Sequence, residues 1–355
     1  MNARRDSLTL APTQHLAGHL GSALALCTLL AAGTGAQALT FTIGGGGDPR
    51  DVDFSQTFDL AADRTAAAET YIVARGTPKG IKRVAIGSFC VGAVYGKSAA
   101  GNSSGGTLSF SKSVVGGFPG GLPASEFLES AEIMREYLET RLKAAGIEVV
   151  PQERLAEIPA YQKFAESLVT EPQDDGEDLK MGKGSSARQL TWVFSPGKRP
   201  FIKDCRRGSY ASTMAMVRLI TDKDMAGINV MSVAVTMDFA LAQAAGGFFS
   251  GAKADLKYGQ HLSPGVTNNT MTLFGEGGGT LWLKQAIVPA KNPFTEGGKG
   301  EIKRKGEYDH LKGTSTTTTT QNSTIDADHE LWISNANAHM KALVDMYVAA
   351  LASTK

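Results

Sequence analysis

The feature that most constrains this fold is one amphipathic helix set between two short apolar strands. From Ser125 to Ala145, the residues Phe127, Ala131, Met134, Leu138 and Leu142 recur at three- and four-residue steps, forming one apolar stripe. Ser125 is placed to cap its start, Glu126 and Glu129 suit its positive end, and Gly146 supplies a left-handed stop. Upstream lies the charge-led apolar run Lys82–Phe89; directly downstream lies Ile147-Glu148-Val149-Val150, closed by Pro151. Strand, crossover helix and strand at this spacing predict a right-handed βαβ unit with parallel strands.

The rest of the chain extends that unit into an α/β fold: a mixed sheet, flanking helices, C-terminal antiparallel strands and a final helix. Residues 91–118 alternate on either side of Gly101–Gly106 and predict a β-hairpin with a Ser/Gly-rich loop. Helical character continues from Gln152 to Val169 despite Pro159, and Glu171–Ser186 reads as a polar loop or insert. Tyr210–Leu219 predicts a helix and Ile228–Ala242 a long strand. Asn269–Phe274 and Thr280–Val288 flank a glycine run as an antiparallel pair. Residues 289–325, with Thr316–Thr320 and the interrupted basic patch Lys299, Lys303, Arg304 and Lys305, read as a low-complexity, solvated loop. A last helix is expected over Ala327–Ala352, its stripe including Leu331, Ala338, Leu343, Met346, Val348 and Leu351.

The amino terminus sets the address. Arg4 and Arg5 precede an apolar run from Leu16 to Ala32 that ends in small residues and Ala36-Gln37-Ala38, the order of a secretory leader with an A-x-A cleavage site. Gly18, His19, Gly21 and Ser22 break that run below the roughly 20 apolar residues of a membrane span. The domain organisation expected is therefore a signal peptide over 1–38, an extension over 39–78 and a single α/β domain over 79–355. In the extension, Leu39, Phe41 and Ile43 lead to Gly44–Gly47 and a helical patch around Ala61–Ala74. Hydrophobic residues make up 42% of the chain, enough for a real core, so wholesale disorder is not expected. Lys and Arg number 36 against 35 Asp and Glu, which leaves nucleic acid without an electrostatic motive as a partner.

Chemical motifs are few. Cys90 and Cys205 either bridge in an oxidising periplasm or stay as two buried thiols; no two cysteines lie close enough in sequence for a metal knuckle. Gly101-Asn102-Ser103-Ser104-Gly105 fits G-x-S-x-G, yet a strand rather than a helix follows, so Ser103 reads as a hairpin-loop serine, with hydrolase chemistry there as the alternative. Gly44–Gly47 lacks the lysine and hydroxyl of a phosphate loop. His261, His310, His329 and His339 have no zinc spacing, and Asp174, Asp175, Glu177 and Asp178 read as a solvated acidic loop rather than a calcium loop. No catalytic residue, cofactor or metal site is assigned from the sequence.

The pieces Arg83–Phe89, Leu142–Gly146, Ile147–Val150 and the hairpin Thr272–Phe274 to Thr280–Leu283 together resemble one group of envelope domains. These are the TolB amino-terminal domain and the soluble domain of the curli-secretion channel lipoprotein, matched over residues 80–290. The resemblance implies a non-enzymatic scaffold or assembly role in a Gram-negative envelope, periplasmic or outer-membrane-associated, with envelope proteins or further copies of the chain as partners. Leu26 before Cys27 departs from the small residue that a lipoprotein leader needs. Val91, Tyr95, Leu108 and Phe110 of the 91–118 hairpin are the expected contact residues. Its strands are also long enough to cross a membrane if several subunits shared a barrel, with Lys97 and Lys112 then facing water.

Overall fold

In the computed structural model, the chain opens with helix α1 (Arg64–Tyr71), strand β1 (Ile72–Arg75) and a strand of 23 residues, β2 (Arg83–Gly105). The structure describes residues 52–76, 78–105, 108–117, 124–179, 181, 184–195, 200–203, 205–206, 210–248, 252–265, 267–295, 299–309, 314–324 and 326–353. The segment 1–38 expected to be a leader and the Gly44–Gly47 run lie outside them. Strand β3 (Leu108–Gly117) folds back antiparallel on β2; α2 (Ala124–Ala144) then leads to β4 (Glu148–Val149), which pairs parallel to β2 with Val84 opposite Val149. Next come α3 (Gln152–Ala156), α4 (Pro159–Ala165), β5 (Leu168–Val169), β6 (Gln173–Leu179), β7 (Ser185–Phe194), β8 (Phe201–Ile202), α5 (Tyr210–Ile220) and β9 (Asn229–Ala245). The chain finishes with β10 (Gly247–Phe248), β11 (Lys253–Leu262), β12 (Thr270–Phe274), β13 (Gly279–Leu283), β14 (Phe294–Thr295), β15 (Lys299–Asp309), β16 (Thr314–Thr324), β17 (Asp326–Ala327) and α6 (His329–Ala352). The main sheet runs β1-β13-β12-β9-β2-β3-β16-β15, a mixed α/β sheet of parallel and antiparallel pairs.

The crossover helix ends as its sequence dictates. Gly146 takes φ 72°, its N–H donates to the Lys143 carbonyl, and the Ile147 N–H donates to the Leu142 carbonyl. This pair of bonds satisfies two terminal carbonyls and turns the chain straight into β4. Met134, Leu138 and Leu142 are fully buried, while Ser125 falls inside the first turn because the helix begins at Ala124.

Both faces of the central strands are covered. Val84, Ile86, Phe89 and Val91 of β2 meet α2 and α6 on one side, with Trp332, Met340, Leu343 and Tyr347 among the α6 residues buried there. Ala85, Cys90, Val230 and Ala234 face α3, α4 and α5 on the other. Strands buried on both faces read as apolar runs, which is how the stretch after Arg83 reads. Within α6 the buried positions include Trp332, Ala336 and Tyr347, whereas Leu331 and Ala338 are only half-buried.

Several expectations fail in the same direction. Residues 171–186 hold β6 and the start of β7 rather than a loop, and 289–325 hold the paired strands β15 and β16. Residues Gly101–Gly105 belong to β2 and pair with β3, Gly105 standing opposite Leu108. Pro159 opens a new helix, so 152–169 is two short helices and a strand. The patch at 61–74 is α1 followed by β1, which pairs with β13 at the edge of the sheet.

Strand β2 is also a fork. At Val91–Ala93 it pairs with β9 on one edge and β7 on the other. From Gly96 onward β3 replaces β9, while β7 stays through Gly101. Strand β9 crosses the face of β2, and its continuation β10 joins Ser103 and Ser104 on the edge that β7 has left. The crossing needs glycine: a Cβ on Gly101 would stand 2.2 Å from the carbonyl oxygens of Ala245 and Lys253, and one on Gly246 would stand 2.0 Å from that of Asn102. Ala99, Ala187, Ala242, Ala254 and Leu256 fill the thin core between the layers.

Cys90 on β2 and Cys205 after β8 form a disulfide, Cα atoms 6.6 Å apart, on the face covered by α3–α5. It closes a loop across 115 residues of sequence. Reduction, or the Cys90→Ser/Cys205→Ser variant, is expected to lower unfolding stability by about 4 kcal/mol in the chain-entropy account. Urea titration with and without reductant measures this, and identical midpoints would contradict a formed bridge.

Candidate functional site: a buried ionic cluster in the fork

Just past the branch in β2, strand alternation turns Lys97 toward the crossing β9. Its side chain is 3% exposed, and its Nζ donates to Asp238 Oδ2 at 2.5 Å and to the Ala240 carbonyl. A shared barrel would require Lys97 to face water, and this burial does not meet that requirement. Alternation identifies the face on which Lys97 stands, but the layer covering that face is made by residues about 140 positions away. The side chain of Lys112 lies outside the described residues.

Asp238 is held from several sides. Its Oδ1 accepts the backbone N–H of Phe239 at 2.7 Å and of Ala240 at 3.2 Å. Its Oδ2 accepts Lys97 Nζ and, at 3.1 Å, the Ser263 hydroxyl, and His261 Nε2 lies 3.8 Å away. His261 Nδ1 is 2.9 Å from the Gly259 carbonyl, a distance that places the proton of the neutral ring on Nδ1 and leaves Nε2 toward the carboxylate. Phe54 packs edge-on against the imidazole, on a ring position that a side chain at residue 259 would occupy.

Burial is the largest influence on each of these groups. It pulls both Lys97 and His261 below their usual ranges, against the opposing pull of the Asp238 charge. For Asp238 burial pushes upward, but the Lys97 ammonium, His261 and the hydrogen bonds outweigh it, holding the carboxyl below its ordinary value.

A second buried cation, Arg206, follows the disulfide directly. Its guanidinium donates to Thr236 Oγ1 at 3.1 Å, Asp175 Oδ2 at 2.8 Å, Asn268 Oδ1 at 2.8 Å and Glu177 Oε2 at 3.4 Å. Strand β6 thus aims Asp175 and Glu177 inward on one face, and the reading of 174–178 as a solvated acidic loop is corrected. The i, i+2 spacing of those carboxylates around Gly176 was the available signal. Among the described residues, no group of three His, Cys, Asp or Glu side chains is arranged to hold a metal ion.

The remaining candidates separate. Val91 is fully buried in the core and is not a contact residue, while half-exposed Tyr95 donates to Asp174 at 3.3 Å. The side chains of Leu108 and Phe110 lie outside the described ones. Ser103 is buried in mid-strand, opposite Phe110 of β3 and Gly247 of β10, so the strand-to-helix turn of a nucleophile elbow is not formed there. His339 is buried with Nδ1 at 2.7 Å from the Asn335 carbonyl; His329 is exposed, and His310 lies outside the described residues. Comparison with family models, with curated proteins and with solved structures finds no match to this chain.

Two outcomes follow from the cluster. Lys97→Met leaves Asp238 buried without its counter-ion and is expected to cost about 3–5 kcal/mol. Lys97→Met/Asp238→Leu should be more stable than either single variant in urea titration. A double variant no better than the singles would contradict the pairing.

The pH dependence has a fixed sign. His261 and His339 are both depressed, so their contribution is full above the unfolded histidine range, near 6.5, and is lost as pH falls through their folded values. The urea midpoint should therefore drop between pH 7 and pH 5, with a smaller drop in His261→Gln. A flat profile would contradict burial of neutral histidines.

Proposed function

We propose that this chain is an exported, non-catalytic assembly protein of the bacterial envelope that meets its partners through the ribbon β3–β16–β15. The observation carrying this reading is the ribbon's outermost strand. Strand β15 ends the sheet, pairs on one edge with β16, and exposes its side chains from Ile302 to Glu307. Ile302 is 51% exposed on it, and Val115 on β3 is 47% exposed on the opposite face of the ribbon by register. An extended edge of this kind offers backbone groups and side-chain anchors to a partner strand. The leader-like amino terminus and the element order resembling the TolB and curli-channel group support the same assignment.

A pore-forming oligomer is the second reading. Strands β3, β15 and β16 have 10 or 11 residues, the length of a membrane-crossing strand. Against it, β16 runs parallel to β3, whereas transmembrane barrels pair their strands antiparallel.

Photo-cross-linking residues introduced one at a time at Ile302, Val115 and Leu60 in living cells test the two readings. Discrete envelope adducts at Ile302 and Val115, with none at Leu60, which is 42% exposed, are expected. Equal labelling at all three sites would contradict a ribbon interface, and adducts to lipid in a detergent-requiring ring would favour the pore.

A further inference from the structure

We propose that Lys97 and Asp238 condense into an intramolecular amide, Nζ bonded to Cγ, which locks β9 covalently to β2 where the two strands part. This goes beyond the assembly reading and does not depend on it.

The site supplies each group that the condensation requires. The nucleophile is Lys97 Nζ, already 2.5 Å from Oδ2 in a site that excludes solvent. The two backbone N–H groups of Phe239 and Ala240 point at Oδ1, the position where negative charge develops as the carboxyl carbon becomes tetrahedral. Around Oδ2, the oxygen that must leave, stand the Ser263 hydroxyl and His261 Nε2, two groups able to pass a proton. Burial favours the free amine, and reacting groups held this close reach effective concentrations on the order of 10⁵–10⁸ M.

The step balances without a co-reactant. The ammonium gives one proton to Oδ2, turning the ion pair into amine and carboxylic acid. The Nζ lone pair attacks Cγ, the N–C bond forms, and the carbonyl π pair moves onto Oδ1 between the two backbone donors. A second proton passes from Nζ through Ser263 or His261 to the Oδ2 hydroxyl. The Cγ–Oδ2 bond breaks, the carbonyl re-forms, and water leaves. The amide keeps one N–H, which donates to the Ala240 carbonyl that Lys97 already faces. Three ammonium protons thus become one amide proton and the two of water, with nothing oxidised or reduced. Two buried charges are replaced by one neutral, hydrogen-bonded group, which removes their desolvation cost.

Mass spectrometry of the full chain, purified folded and then denatured and reduced, decides the matter. The mass should fall one water short of the sequence counted from the observed amino terminus. Trypsin should release one branched product joining Val84–Lys112 to Asp224–Lys253, because an acylated Lys97 is not cleaved. Lys97→Arg and Asp238→Ala should both restore the full mass, and Ser263→Ala/His261→Ala should slow the loss of water after refolding. A wild-type chain at full mass that yields free Val84–Lys97 overturns the proposal whatever the variants do. Loss of water confined to the single peptide Asp224–Lys253 overturns it equally.

Discussion

At Ala93 the strand β9 leaves the edge of β2 and begins to cross its face, and a lysine and an aspartate are buried together in that crossing. The rest of the fold is arranged around this departure. Before it, β2 and β9 form the doubly covered centre of the sheet, clad by α2 and α6 on one face and α3–α5 on the other. After it, β2 exchanges β9 for β3 and carries the ribbon β3–β16–β15 away on one edge and β7–β6 on the other. A buried ion pair is weak evidence for net stability, since desolvating both charges offsets most of their attraction. Its effect here is on specificity: any other register of β9 over β2 would bury Lys97 or Asp238 alone. Gly101 and Gly246 admit the crossing sterically, and the ion pair selects its position.

The second cation serves the same architecture from the other side. Arg206 ties β6, β9 and the segment after Gly265 to the residue beside the disulfide. Two long-range links, one ionic and one covalent, therefore meet on the α3–α5 side of β2 and β9, just before the layers diverge. The small core between the diverging layers is built largely of alanine, which buries little area per residue.

The parts of the fold that were legible in the sequence are those whose signals are local. The stripe Met134, Leu138, Leu142 with its Gly146 stop, the apolar run at 82–89 and the glycine-turned pair at 270–283 each carry their own period and punctuation. Residues 171–186 and 289–325 were misread because their strands are largely polar, and the pairs β6–β7 and β15–β16 are joined to the sheet through distant strands, β2 for β7 and β3 for β16. The threonine run is committed to a strand by β3 on one edge and β15 on the other, not by its own composition. The ionic cluster was hidden for a related reason: Lys97, Asp238 and His261 carry no shared spacing, and tertiary crossing alone brings them together. Alternating Asp175 and Glu177 were the one readable trace of a buried cation.

The central claim is that the fork is a fixed, solvent-excluding junction rather than a place where two layers rest loosely on each other. Native-state hydrogen exchange on the amides of Gly96–Gly101 and Asp238–Ala245 tests it most directly. These amides should exchange at the slowest rate in the molecule, together with those of β12, through global unfolding alone. Exchange there through local opening, as fast as in the outer strand β15, would contradict the account.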